Sequence, residues 1–383
     1  MSGKNWELTR GCLSHLFYIF IALPIFTTPN MRQMYYIGLI GVFLLSIYTI
    51  MIHEYLSISK NFLFMISLYI IFIIYCGFSL TWTSSTEIAI IKFFDLLIVP
   101  IALISYPQIS VMKKGDINTV LTLIFYISMI VSTLIIYSSA LLGDPLTIFN
   151  TTHINIGRSI GLGLPIGIYY LSNKHMNSIT VVTGLFVILV SLVMIESRGP
   201  ALAAISSSIL VGFYCISTRM GLYRSILSAL SILLLMITSW FFGMFTTLSS
   251  DIDLGDFSVL VSGKLGSSAE LRIEYYYNAL DMWANSPLIG SGLSGYFAQY
   301  GTFPHNIVLE IGAELGLIGV ILFGSFIISG YKSIRAQSRS TLGIVLLAMI
   351  VFALVNASVS SSLPGQRLLF FALGLAVSPA LFR

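Results

Sequence analysis

The sequence is short of charge: Asp, Glu, Lys and Arg make up 9% of its 383 residues, against roughly 25% in a soluble globular domain. That shortage excludes water as the main solvent of the fold. Cysteine is also scarce. Cys12, Cys76 and Cys215 all fall inside apolar segments, at no metal-ligand spacing, so neither a disulfide framework nor a thiolate metal site is expected, and packing is their role. The formal net charge of +4 is modest, and no nucleic acid is expected as a partner. What the chain has in quantity is apolar residues, 57% of the total.

These residues are gathered into about twelve runs, most of them near the 20 residues needed to cross a bilayer: 11–28, 34–52, 61–79, 86–106, 117–142, 156–172, 178–195, 199–217, 224–246, 305–330, 340–358 and 366–382. The first run lacks a small-residue cleavage site and more spans follow it at once, so it reads as a retained helix and not a signal peptide. The expected architecture is all-α, a polytopic transmembrane bundle forming a single membrane domain over residues 1–383. Connections are mostly short; the exceptions are residues 247–304, a 58-residue stretch too polar to span, and the shorter Leu142–Ile154.

Orientation follows from the placement of Lys and Arg in short loops. With the N-terminus cytoplasmic, twelve of the nineteen cations lie on the inner side, among them Lys113, Lys114, Lys332, Arg335 and Arg339. Both termini are then cytoplasmic and the long loop faces outward. The seven others, Arg32, Lys92, Arg158, Arg198, Lys264, Arg272 and Arg367, all fall on outer loops or near outer span ends. Cations kept on the disfavoured side point to an anionic ligand there. The plainer reading is snorkelling or local pairing, which suits Arg32 and Lys264. Lys92 and Asp95 stand at the i,i+3 spacing of a helical ion pair.

The outer elements carry the chemistry. Ser267-Ser268-Ala269-Glu270 has the form of a capping box, followed by an amphipathic stretch over 271–283 that Asn285-Ser286-Pro287 stops. This predicts a helix on the outer membrane surface, with Tyr275, Tyr276, Tyr277 and Trp283 at interfacial level and Arg272 in its first turn. Phe303-Pro304-His305-Asn306 then stands at the entrance of an apolar run. A helix N-terminus and partial burial both disfavour imidazolium, so His305 suits a general base; a lone His there is otherwise an ordinary cap.

Glu310 and Glu314 lie one turn apart on that same helix, about 6 and 12 Å below Asn306 at 1.5 Å per residue. Carboxyls inside a span are costly, so the pair either meets cations from neighbouring helices or binds substrate. Gly312, Gly316 and Gly319 are read as close-packing residues. Arg198, in Glu196-Ser197-Arg198-Gly199-Pro200, is held by a tight turn between two apolar helices, either for a ligand or paired with Glu196. Arg158 and Arg367 belong to the same outer layer. Asp251-Ile252-Asp253 has the D-x-D form of metal-dependent sugar transferases but is set aside, because the pattern is common in polar loops.

Taken together, Ser197-Arg198-Gly199 before a span, Arg272 in a loop helix, Asn285-Ser286-Pro287-Leu288-Ile289-Gly290-Ser291-Gly292, His305-Asn306 and Glu314-Leu315-Gly316 resemble the O-antigen ligase and O-antigen polymerase family of bacterial membrane glycosyltransferases. The resemblance covers residues 185–330 at motif level. It implies a donor glycan on undecaprenyl pyrophosphate, presented at the periplasmic face of the inner membrane. Arg198 and Arg272 would hold the pyrophosphate and His305 would deprotonate the acceptor hydroxyl. Arg158, Arg367, Asn306, Glu310, Glu314 and Tyr276 are then candidate substrate contacts, with no metal and no cofactor. The partners expected are the lipid-linked oligosaccharide, the bilayer and, as a further candidate, a chain-length regulator protein.

Within the family the compact loop between Arg272 and His305 favours a polymerase, with ligation to lipid A-core as the alternative. A transporter of lipid-linked glycan is the alternative from another class. Transporters of this size commonly show two related halves, and no such repeat is visible here.

Overall fold

The computed structural model describes residues 3–27, 32–52, 58–111, 113–142, 148–149, 151–173, 176–220, 267–335, 340–360 and 362–382. The expected span 224–246 and loop residues 247–266, with Asp251, Asp253 and Lys264, lie outside the described residues, as does the side chain of Arg32.

The described chain is helical throughout and contains no strand. In order the helices are α1 (Gly3–Ala22), α2 (Arg32–Ile52), α3 (Lys60–Ser79), α4 (Thr86–Ser110), α5 (Lys114–Leu142), α6 (His153–Gly161), α7 (Gly163–Asn173), α8 (Ser178–Met194) and α9 (Arg198–Met220). Beyond the undescribed stretch come α10 (Ser267–Asn285), α11 (Gly295–Tyr300), α12 (Ile307–Arg335), α13 (Thr341–Val359) and α14 (Arg367–Ala376).

Local chemistry sets several boundaries. Ser59, Thr152, Asn177 and Ser340 each accept a backbone N–H of the following first turn, which satisfies donors that a helix start otherwise orphans. Among the described residues, α3, α4, α5, α9, α12 and α13 are long and apolar enough to cross a membrane. Their outward faces carry exposed apolar side chains such as Phe64 (62%), Phe78 (64%) and Ile91 (66%), as expected of surfaces that meet lipid.

Two expected spans take a different form. The run 156–172 is two short helices, α6 and α7, meeting at Leu162. Pro165 lacks the N–H that would bond to Gly161 in a continuous helix, and its ring crowds that carbonyl. The run 366–382 holds only the ten residues of α14 and then a 3-10 turn at Pro379–Leu381, about 15 Å of α-helix at 1.5 Å per residue. Leu368 through Ala376 are all buried, so α14 is a core helix and not a lipid-facing one. It is wedged by Phe371 against Tyr18 of α1 and by Phe370 against Tyr69 of α3 and Phe326 of α12.

Candidate active site

The site is assembled around a broken helix. At Gly316 of α12 the backbone leaves the helix (φ 65°, ψ −165°), which orphans carbonyls above the break and N–H groups below it. The segment after α10 takes up both sets. Ser291 and Gly292 donate their N–H groups to the carbonyls of Ala313 (2.9 Å) and Glu314 (2.8 Å), while Leu317 and Ile318 donate to the carbonyls of Pro287 (2.9 Å) and Leu288 (3.2 Å). Tyr75 of α3 donates its hydroxyl to Leu315 O at 3.0 Å. Irregular backbone inside a membrane protein is tolerated only where the protein satisfies it in this way.

The motif glycines therefore serve backbone approach. Gly290 (φ 69°) and Gly316 both occupy left-handed conformations. A Cβ at Gly290 would strike the Glu314 carbonyl, and one at Gly316 the Leu288 carbonyl. Gly312 carries the ring of Trp283, whose Nε1 donates to Pro287 O at 3.1 Å. The clasp thus ties α10, and with it Arg272, to α12.

Just above the break lies a buried charge cluster. Lys92 of α4 donates to Glu310 Oε1 at 2.5 Å and to Glu314 Oε2 at 2.7 Å, with all three residues at most 5% exposed. Glu310 Oε2 also accepts the Leu363 N–H at 2.8 Å. The i,i+3 pairing of Lys92 with Asp95 is not formed: two carboxylates from α12 reach Lys92 within the core, while Asp95 is exposed. Of the two roles open to Glu310 and Glu314, the packing realises ion pairing across helices, and it leaves only Glu314 Oε1 without a partner.

Asn306, next to His305, and Arg158 both bond to carbonyls at the end of α13, and the turn that carries Arg198 packs nearby. Asn306 caps α12: its Oδ1 accepts from Val308 N (3.0 Å) and Leu309 N (3.2 Å), and its Nδ2 donates to Ser358 O at 3.0 Å. The Asn306 amide is thus engaged with the scaffold through Oδ1 and one Nδ2 hydrogen. Arg158, 3% exposed, donates Nη2 to Asn356 O (3.2 Å) and Ser360 O (2.7 Å), completing the carbonyl end of α13 as a cation suits a helix C-terminus. Its Nε is buried without a partner. Gly157 beside it packs on Ser197 and Pro200, and Gly199 packs on Val359, so the turn carrying Arg198 is set against both α6 and α13. Arg198 is exposed and forms no ion pair with Glu196, itself held at φ 55°.

His305 occupies a left-handed backbone conformation (φ 56°), rare enough outside glycine to be notable, although His is among the residues that adopt it. Its ring centre lies 6.0 Å from that of Tyr275 on α10, and Arg272 is one turn away on the face that carries Tyr275. Partial burial pushes the His305 pKa down, and the guanidiniums of Arg272 and then Arg158 push it further the same way. The shift favours the neutral imidazole, whose lone pair can accept a proton. Tyr276 is half-buried on the same helix.

The sequence reading did not anticipate Asn356, Ser358, Ser360 or Leu363. Their signal is the polar run Asn356-Ala357-Ser358-Val359-Ser360-Ser361-Ser362, which ends an otherwise apolar span. Arg367 makes none of these contacts. It stacks on Tyr35, 4.4 Å from guanidinium carbon to ring centre, in a separate cavity.

Residues 183–324 match the family model described as O-antigen ligase. Over that stretch the chain is similar to the O-antigen ligase/polymerase family. The matched stretch runs from α8 through the clasp into α12, and so contains Arg198, Arg272, His305 and the broken helix. Together with the apolar helices, this match supports a multi-pass membrane enzyme of the glycosyltransferase type in O-antigen or related surface-glycan assembly. No curated protein matches the chain.

Proposed function

We propose that the protein polymerises undecaprenyl-pyrophosphate-linked oligosaccharide repeat units into O-antigen or a related surface polysaccharide at the periplasmic face of the inner membrane. The observation that carries this reading is the place of His305 at the entrance of α12, its ring 6.0 Å from that of Tyr275 on the helix that carries Arg272, with the Arg272 and Arg158 guanidiniums lowering its pKa. It is a base set among anion binders. His305 takes the proton from the acceptor hydroxyl as that oxygen bonds to the anomeric carbon. The bond from that carbon to the pyrophosphate breaks, and its electron pair leaves with the lipid pyrophosphate.

Arg198 and Arg272 receive that negative charge. A planar guanidinium makes bidentate, charge-assisted bonds to phosphate, and a prepositioned donor stabilises charge where it develops. A single displacement inverts the anomeric centre. Arg158 supports the site from behind, since one arm of its guanidinium holds the end of α13. The polymerase reading, over ligation to lipid A-core, is supported by the compactness of the segment between the clamp and the base: Arg272 and His305 are 33 residues apart, and α10, the clasp and α11 fill the interval.

The test is elongation of a lipid-linked repeat unit by the purified protein in detergent. Product longer than two units, with inverted linkage, is expected. Transfer only to lipid A-core would convert the reading to ligase, and retained configuration would remove the single displacement.

A further inference from the structure

The cavity beside Arg367 takes no part in that chemistry. It measures about 290 Å³ and lies between α2, α4 and the first residue of α14, lined by Tyr35, Tyr36, Leu39, Asp95, Ile98 and Arg367 among others. Its two charged residues do not satisfy each other. The Arg367 guanidinium lies against the face of Tyr35, and its Nη1 is buried with no hydrogen-bond partner. Asp95 is exposed and forms no ion pair among the described residues. An acid and a base that line one cavity without closing on each other leave space for a molecule carrying both signs, and unmatched charge on a lipid-facing surface is costly.

The mouth of the cavity faces sideways. Tyr36 and Ile98 are 52% and 51% exposed, so it opens onto the surface that meets lipid and not toward His305. Tyr35 stands in the first turn of α2 and Arg367 opens α14. Two tyrosines near helix ends suit the headgroup level of a bilayer.

We propose that this cavity is a headgroup site for a zwitterionic, amine-bearing phospholipid of the phosphoethanolamine type. The phosphate meets the Arg367 guanidinium where it lines the cavity, in a charge-assisted bond. The ammonium meets Asp95 and the tyrosine faces. A purely anionic headgroup would bring negative charge against Asp95, and a purely cationic one would leave Arg367 unmatched. Arg367 is thereby assigned to lipid and not to the pyrophosphate clamp. The site requires only that the protein spans a bilayer, so it stands or falls separately from the polymerase reading.

The experiment is native mass spectrometry of the purified full chain, titrated with phosphatidylethanolamine, phosphatidylglycerol or undecaprenyl pyrophosphate. The wild type should retain phosphatidylethanolamine over phosphatidylglycerol by about tenfold, the worth of one charged hydrogen bond. Arg367→Gln should lower retention of both lipids. Asp95→Asn should abolish the preference by admitting phosphatidylglycerol. Leu39→Phe, which fills the cavity and leaves the charges in place, should also lower phosphatidylethanolamine retention, and it keeps the test decisive if a charge variant fails to fold. Equal retention of the two lipids by the wild type would overturn the proposal, as would Asp95→Asn keeping the wild-type preference or Arg367→Gln keeping the wild-type retention. So would undecaprenyl pyrophosphate displacing phosphatidylethanolamine from the wild type but not binding Arg367→Gln, which would return the cavity to the glycan carrier.

Discussion

At the scale of single residues, three side chains carry separable predictions. Replacing His305 with Ala removes the base, and elongation should slow by about 10²- to 10⁴-fold, the range for general-base catalysis; full activity in the purified variant would remove His305 from the mechanism. The pH dependence tests its surroundings. Because burial and the Arg272 and Arg158 charges lower the His305 pKa, the base stays competent below the ordinary imidazole value of about 6.5, and activity declines only as pH falls through the lowered value. Arg272→Gln removes a positive neighbour, which makes imidazolium easier to form. The acid limb of its kcat/KM profile should therefore move to higher pH, whatever happens to the absolute rate; a limb that stays in place contradicts the contact. Lys92 belongs to stability. Lys92→Met leaves Glu310 and Glu314 facing each other in the core without their cation, a loss on the order of 3–5 kcal/mol for a broken buried pair. Thermal unfolding should show it, and the triple variant Lys92→Met, Glu310→Gln, Glu314→Gln should recover part of it.

At the scale of elements, the decisive device is the clasp between the segment after α10 and the break in α12. Gly316→Ala must either hold φ at 65° against its own Cβ or straighten the helix, and its methyl would meet the Leu288 carbonyl. A strained left-handed residue costs about 1–3 kcal/mol. The expected outcome is a lowered melting temperature together with a fall in turnover, because the clasp links Arg272 to the entrance of α12. An unchanged melting temperature would mean that α12 tolerates a continuous helix. Gly312, Gly316 and Gly319 read in sequence as close-packing residues of one helix, and at Gly312, against the Trp283 ring, that is what is found. At Gly290 and Gly316 the reason is different, since two backbones approach each other and exchange hydrogen bonds.

At the scale of the whole molecule, orientation and pathway are testable without purification. A cysteine at exposed Gln299 should react with an impermeant maleimide from the periplasm, and one at exposed Lys113 only after the inner membrane is opened; the reverse would invert the topology. Deleting the gene should collapse the surface-glycan ladder to a single capped unit if the enzyme polymerises. Loss of all capping with accumulation of lipid-linked polymer would identify a ligase. By itself the sequence determined the solvent of the fold, its helical class, and the catalytic candidates Arg198, Arg272 and His305, because hydropathy, cation placement and motif order are local properties of the chain. Tertiary structure alone decided what each buried or lining charge faces. Lys92 lies 218 residues before Glu310, Arg158 lies 198 before Asn356, and Arg367 faces Asp95 across a cavity. It also decided that two apolar runs break or shorten into core helices. Such partners are chosen by which helix faces pack together, and one-dimensional spacing carries no record of that choice.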